Sequence, residues 1–323
     1  MKTTPGQLRN KLKGPVVAMT THFNDDLSLD LDGMRRLTEY YIQEKVPSVI
    51  VTGSTGEYGS LTDDERKAVQ KVVIDTAEGS GMTVIAGVSD MASLNCIELT
   101  KAAEGLGADG VMLTPPHGAT NGGGFANIKR HYDTVTRATD IGVVIYFSGA
   151  VMNQVQEILA NPALMLELAD ACNGHASGFK DASGNFPFYR QASELLKGKV
   201  SVMGSAGMNY YLWGFDWGSP CFLTGLGNIW PKWEIAFYNH LVEGRREEAL
   251  KIVKERDIPY IAACMKTKRY WSCLKVLQEM IGLPGGKMRP PLWECTAEQS
   301  EELRRVCTEI GLLEETREPV AVG

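Results

Sequence analysis

The chain has 323 residues, 44% of them hydrophobic and 22% charged, enough apolar material for one large core or two smaller ones. Its 39 acids against 33 bases leave a net charge of −6, which argues against a nucleic-acid-binding face; the densest basic cluster, Lys266-Thr267-Lys268-Arg269, reads as a solvated helix end. The seven cysteines lack any C-x-x-C pair, against a disulfide framework or zinc site and in keeping with a reducing cytoplasm, and no apolar run approaches the roughly 20 residues of a membrane span.

No apolar signal segment follows Met1, so none is expected. Short Val- and Ile-rich runs then alternate with helix-periodic stretches, as buried parallel strands alternate with helices. The runs are Pro15–Met19, Ser48–Thr52, Thr83–Gly87, Gly110–Thr114, Gly142–Tyr146, Ala176–Lys180, Val200–Gly204 and Cys221–Gly225. Among the helices, Thr62 with Glu65 makes a capping-box start and Val69, Val72, Val73 and Ala77 follow as a stripe. Leu94–Leu106 ends at Gly107, and Pro162–Ala171 opens on proline. Eight such units spell a (β/α)₈ TIM barrel over 12–243. A doubly wound sheet is the competing architecture, but the first strand runs into Thr20-Thr21-His22-Phe23 without a G-x-G-x-x-G turn. The remainder, 244–323, reads as C-terminal helices packed on the barrel. Trp233–Glu255, broken near Gly244, Ile258–Ile281 and Ala297–Ile310 are the helical stretches from Trp233 onward, before a frayed tail.

A barrel of this kind places its chemistry at the carboxyl ends of the strands. Lys180 ends the sixth run. Burial there favours the neutral amine, the form that attacks a carbonyl; the plainer alternative is a lysine that pairs with a carboxylate or reaches the rim. Tyr146 ends the preceding run, where a phenol can relay protons or simply pack. After the second run, Gly53-Ser54-Thr55-Gly56-Glu57 offers two hydroxyls and exposed amides in a tight turn suited to an anion, with Glu57 as a possible loop cap. His22, His117 and His131 form no metal-ligand spacing and read as packing or solvated residues.

Gly-Ser-Thr-Gly-Glu, the strand-five tyrosine and Gly-Phe-Lys-Asp-Ala-Ser occur in this order, and the set resembles the dihydrodipicolinate synthase / N-acetylneuraminate lyase superfamily from about Gly14 to Asn228. The resemblance implies a barrel enzyme, dimeric or tetrameric, that joins a lysine to pyruvate or another 2-oxo acid as an imine. On that pattern Lys180 is the Schiff-base residue, Tyr146 the proton shuttle and Thr55 its relay. Gly53, Ser54 and Thr55 form the turn that holds the substrate carboxylate, Leu223 turns its carbonyl toward the substrate, and His117 takes the place of an interface tyrosine. No cofactor or metal is called for, and neither nucleic acid nor membrane is a partner.

Departures bear on the substrate. Dihydrodipicolinate synthases carry an arginine five residues after the shuttle tyrosine; here the position is Val151. Phe147-Ser148-Gly149 replaces the common Asn-x-Pro, and Pro259-Tyr260 with Arg289-Pro290-Pro291-Leu292 resembles sugar-acid dehydratases such as 5-dehydro-4-deoxyglucarate dehydratase. The expected function is therefore a Schiff-base lyase of the dehydratase or aldolase kind. Substrate hydroxyls would fall to residues such as Ser148, Asn185 or Thr224. The alternatives are a 4-hydroxy-tetrahydrodipicolinate synthase and a non-catalytic relative that binds a 2-oxo acid.

Overall fold

The computed structural model describes residues 2–116, 123–148 and 155–313. Among these the strands are β1 (Gly14–Ala18), β2 (Ser48–Val51), β3 (Thr83–Gly87), β4 (Gly110–Leu113), β5 (Gly142–Phe147), β6 (Ala176–Asp181), β7 (Ser201–Gly204) and β8 (Cys221–Phe222). They close in sequence order into an eight-stranded barrel, β1 returning in parallel to β8. The helices are α1 (Pro5–Lys11), α2 (Leu31–Gln43), α3 (Asp63–Ala77), α4 (Ser93–Leu106), α5 (Gly124–Thr136), α6 (Gln156–Ala160), α7 (Leu164–Ala171), α8 (Phe186–Leu196) and α9 (Met208–Phe215), then, past β8, α10 (Pro231–Val242), α11 (Arg246–Ile252), α12 (Ile258–Lys266), α13 (Tyr270–Met280) and α14 (Ala297–Glu309). The expected (β/α)₈ architecture with C-terminal helices is present.

Local chemistry sets the element ends. The Thr62 hydroxyl accepts from the Glu65 amide at 3.2 Å while the Glu65 carboxylate accepts from the Thr62 amide at 2.9 Å, so the capping box opens α3 as the sequence suggested. Gly107 ends α4 at φ 93°, a left-handed value that costs glycine little. The stretch expected as one helix over Ile258–Ile281 is two. Thr267 donates back to the Cys264 carbonyl and accepts from the Arg269 amide, and Lys268 turns left-handed at φ 57°. A β-hydroxyl that captures local backbone groups breaks a helix where periodicity alone runs on.

By density of internal contacts the chain forms two units, each compact in itself. One comprises Met1–Val16, Thr83–Ala206 and Tyr210–Leu223; the other comprises Val17–Met82, Gly207–Asn209 and Thr224–Gly323.

In the first unit, α1 was not foreseen, although Thr4-Pro5-Gly6-Gln7 carries its signal: a capping box with proline at the first turn. Its Leu8 and the following Leu12 are fully buried. A Cβ on Gly110 would lie 2.3 Å from Leu8 Cδ2, and one on Gly178 3.0 Å from Leu12 Cδ1. Glycines near the starts of β4 and β6 therefore admit two leucines that fill the amino-terminal ends of these strands, and leave the carboxyl ends for chemistry.

β8 stops earlier than the expected Cys221–Gly225, and in the second unit Glu234, in the first turn of α10, gathers the chain around Thr224 and Gly227. Its carboxylate accepts from the Thr224 hydroxyl and from the Gly227 amide at 2.7 Å. Burial pushes this carboxyl from 4.5 up to about 8. The native state thus keeps a proton that the unfolded chain releases near pH 4.5, so stability falls as pH rises through the window between these values. Glu234→Gln keeps the two accepted bonds and removes the titration. Its melting temperature should match the wild type near pH 4.5 and exceed it increasingly toward pH 8; a gap that stays constant with pH would refute the assignment.

Candidate active site

In the first unit Lys180 and Tyr146 are cross-strand partners in the β5–β6 ladder. Lys180 Nζ lies 4.0 Å from the centre of the Tyr146 ring, and the residues are 4% and 6% exposed. No carboxylate pairs with Lys180 among the described residues, so the expected alternative of a paired lysine has no partner there. Its neighbour Asp181 points the other way, as alternate strand residues do. Asp181 accepts from the Tyr210 hydroxyl at 2.5 Å and from the Ser183 amide at 3.0 Å. Phe147, paired with Asp181, packs its ring on Phe179, centroids 5.1 Å apart. One face of β5 and β6 is thus aromatic core, and the other presents an amine beside a phenol, without an ion-pair partner among the described residues. Leu223 follows β8 directly, with its amide bonded to the Gly204 carbonyl at 2.8 Å.

In the second unit, Gly53-Ser54-Thr55-Gly56-Glu57 forms two overlapping turns. The Glu57 amide donates to the Ser54 carbonyl at 3.1 Å, and the Tyr58 amide to the Gly53 carbonyl at 3.3 Å. Thr21 donates to the Gly56 carbonyl at 2.7 Å. A Cβ on Gly56 would sit 3.1 Å from the Met19 carbonyl oxygen, which is why glycine belongs there. Ser54 and Thr55 remain partly exposed.

Glu57 does not cap this loop. It sits at φ 54° and turns its carboxylate inward onto Lys275, with Oε1 2.5 Å from Nζ and both side chains at 2% exposure or less. Lys275 also donates to the Lys287 carbonyl at 2.5 Å and lies 4.7 Å from the centre of the Phe23 ring. Burial pushes the Glu57 carboxyl up and the Lys275 ammonium down, and each is held back by the opposite charge of the other. The Arg289 amide adds a bond to Glu57 at 3.3 Å, and the Arg289 guanidinium grips both oxygens of Glu65 at 2.7 and 2.8 Å. Arg289, singled out in sequence for its surroundings, is thus an anchor between its own loop and the start of α3.

The structure brings Lys180 and Tyr146 together in one unit, and Gly53, Ser54 and Thr55 together in the other. His117 and Val151 lie outside the described residues. Two of the three residues suggested for substrate hydroxyls are already engaged: Thr224 by Glu234, and Asn185 as the cap of α8, its Oδ1 3.1 Å from the Phe188 amide. Sequence reasoning passed over Lys275. The signal was a lysine within the apolar stripe of α13, beside Leu274, Leu277 and Gln278. His22 is fully buried beside Thr20, and burial together with Lys275 holds it down at about 3, so it packs as a neutral ring. Among the described residues no group of three or more His, Cys, Asp or Glu could hold a metal ion, and no helix is long and apolar enough to cross a membrane.

Barrel and chain-wide similarity together define a lyase of the Schiff-base aldolase and dehydratase type, acting on small molecules. The chain belongs to the Dihydrodipicolinate synthetase family, whose model matches residues 11–310. A probable 5-dehydro-4-deoxyglucarate dehydratase of Methylobacterium radiotolerans is 28% identical over 308 residues, covering 93% of this chain and 96% of the relative. A 4-hydroxy-tetrahydrodipicolinate synthase of Acidothermus cellulolyticus is also 28% identical, over 316 residues, covering 93% and 92%. In fold, the dihydrodipicolinate synthase of Oceanobacillus iheyensis superposes with a TM-score of 0.83 at 23% identity, over 94% of this chain and 98% of that one. The N-acetylneuraminate lyase of Mycoplasma synoviae gives 0.80 at 21%, over 94% and 99%.

Proposed function

We propose that the protein is a sugar-acid dehydratase that forms an imine between Lys180 and the keto carbon of a 2-oxo acid. The observation that carries this reading is a buried lysine at the carboxyl end of β6, without a counter-ion among the described residues and with its amine against the Tyr146 ring. A neutral amine adds to the carbonyl, and loss of water leaves an iminium. The iminium withdraws electrons from the adjacent C–H bond. Its proton departs, an enamine forms, and the hydroxyl on the next carbon leaves as water. Tyr146 is assigned the proton transfers and Thr55 their relay. Gly53, Ser54 and Thr55 are assigned to the substrate carboxylate, the Leu223 carbonyl to a substrate contact, and His117 to substrate binding in the place of the interface tyrosine. These roles rest on the motif resemblance. The enzyme is expected to work in the cytoplasm as a homodimer or homotetramer.

Two features favour a dehydratase over a 4-hydroxy-tetrahydrodipicolinate synthase. Val151 stands where the synthases carry an arginine, so the chain departs from the synthase motif at that position. Several similar relatives also bear the dehydratase name. The test compares kcat/KM for 5-dehydro-4-deoxyglucarate and related 2-oxo sugar acids with that for pyruvate plus aspartate semialdehyde. The sugar acids should be preferred by about 100-fold or more, the discrimination a lost polar contact can exert. Efficient condensation with the semialdehyde would reverse the assignment.

A further inference from the structure

Two buried hydroxyls at the carboxyl ends of β4 and β5 have no hydrogen-bond partner among the described residues: Ser148 Oγ and Thr114 Oγ1. The residues are 7% and 2% exposed. Such orphans are uncommon, because a buried hydroxyl ordinarily finds an acceptor. Buried Thr100 and Thr136 do so within their helices, each donating to a carbonyl at 2.7 Å. Alanine or valine would remove the cost of an unmade bond at Ser148 or Thr114 if nothing used the group.

Their placement gives them a common face. Leu113 pairs with Ile145 and Tyr146 with Lys180, so Thr114 continues the register at the level of Tyr146. Phe147 packs into the aromatic core on Phe179, and strand alternation returns Ser148 to the side of Tyr146 and Lys180. Ser148 lies two residues beyond Tyr146, roughly 6–7 Å farther along the strand. It therefore addresses the tail of a molecule whose keto carbon is held by Lys180. A hydroxyl both donates and accepts, which matches the alcohol groups of a sugar-acid tail.

We propose that Ser148 and Thr114 form the specificity subsite for the tail hydroxyls of a polyhydroxylated 2-oxo acid. The proposal rests on the Schiff-base reading above. Two variants test it, Ser148→Ala and Thr114→Val, each assayed in two ways: borohydride trapping with pyruvate, which has no tail hydroxyl, and kcat/KM on 5-dehydro-4-deoxyglucarate. Each variant should lose about tenfold in kcat/KM on the sugar acid, and the pair about 100-fold, the size of one and two hydrogen bonds. Pyruvate trapping on Lys180 should stay within about twofold of wild type. The melting temperature should not fall, since no partner among the described residues is lost. Unchanged turnover of the sugar acid with trapping intact overturns the subsite alone. So does a parallel fall of trapping, turnover and melting temperature, which marks a structural role. A wild-type enzyme that traps no 2-oxo acid overturns the Schiff-base reading, and the subsite with it.

Discussion

Lys180→Arg should abolish both turnover and reductive trapping while leaving the protein folded. Incubation of the wild type with pyruvate and sodium borohydride should fix one adduct on Lys180, located by peptide mass spectrometry. Arginine keeps the charge and most of the length, but a guanidinium stays protonated at all working pH values and cannot add to a carbonyl. Loss of a covalent nucleophile of this kind removes at least roughly 10⁴-fold of activity. The fold should tolerate the change because no described carboxylate depends on Lys180 for its charge balance; the nearest acid in sequence, Asp181, is satisfied on the opposite face by Tyr210 and Ser183. An adduct on another lysine, or none with any 2-oxo acid, would remove the basis of the proposed mechanism. Residual turnover by Lys180→Arg above a few per cent would do the same.

The other lysine in the interior should behave in the opposite way. Lys275→Met should destabilise the protein by about 3–5 kcal/mol, the cost of leaving one member of a buried ion pair without its partner. That is a large share of the roughly 5–15 kcal/mol that holds a typical domain together. The residue left behind is Glu57, whose carboxylate is fully buried and whose backbone occupies a left-handed conformation. With the ammonium gone, Glu57 can remain inside only by taking up a proton. Its folded value then lies above the ordinary 4.5, so the variant's stability should decline as pH rises past that point. Lys275→Met combined with Glu57→Gln should recover most of the loss, because a neutral amide needs no counter-charge. Urea unfolding at pH 5 and pH 8 measures all three proteins. A single variant within about 1 kcal/mol of wild type would show that the pair is replaceable by apolar packing.

The two lysines differ in how far sequence alone can take them. Lys180 stands at the end of an apolar run, one βα unit after Tyr146, and a period-two strand with a polar terminus is a local pattern. Lys275 lies on a helix among leucines, where a long side chain can bury its stem and reach solvent with its head. Only the approach of Glu57, 218 positions earlier in sequence, decides that it stays inside. The same holds for Thr224 and Ser148. Both are hydroxyls near strand ends and look equivalent in the chain. Glu234 occupies the first, and nothing among the described residues occupies the second.

What the chain determined by itself was therefore periodic or local: eight apolar runs, the capping box of Thr62 and Glu65, the glycine stop at Gly107, and the order of hydroxyl turn, tyrosine and lysine. These follow from interactions within a few residues, and from a strand's need to be apolar on both faces when helices cover it. Tertiary structure alone decided the seating of Leu8 and Leu12 against Gly110 and Gly178, the inward turn of Glu57 onto Lys275, and which buried hydroxyls were left without a partner among the described residues. Each depends on groups far apart in sequence or on a choice between local and distant hydrogen bonds. Hydrogen bonds and ion pairs act over a few ångströms of space, and the order of residues along a chain does not encode which of them meet at that distance.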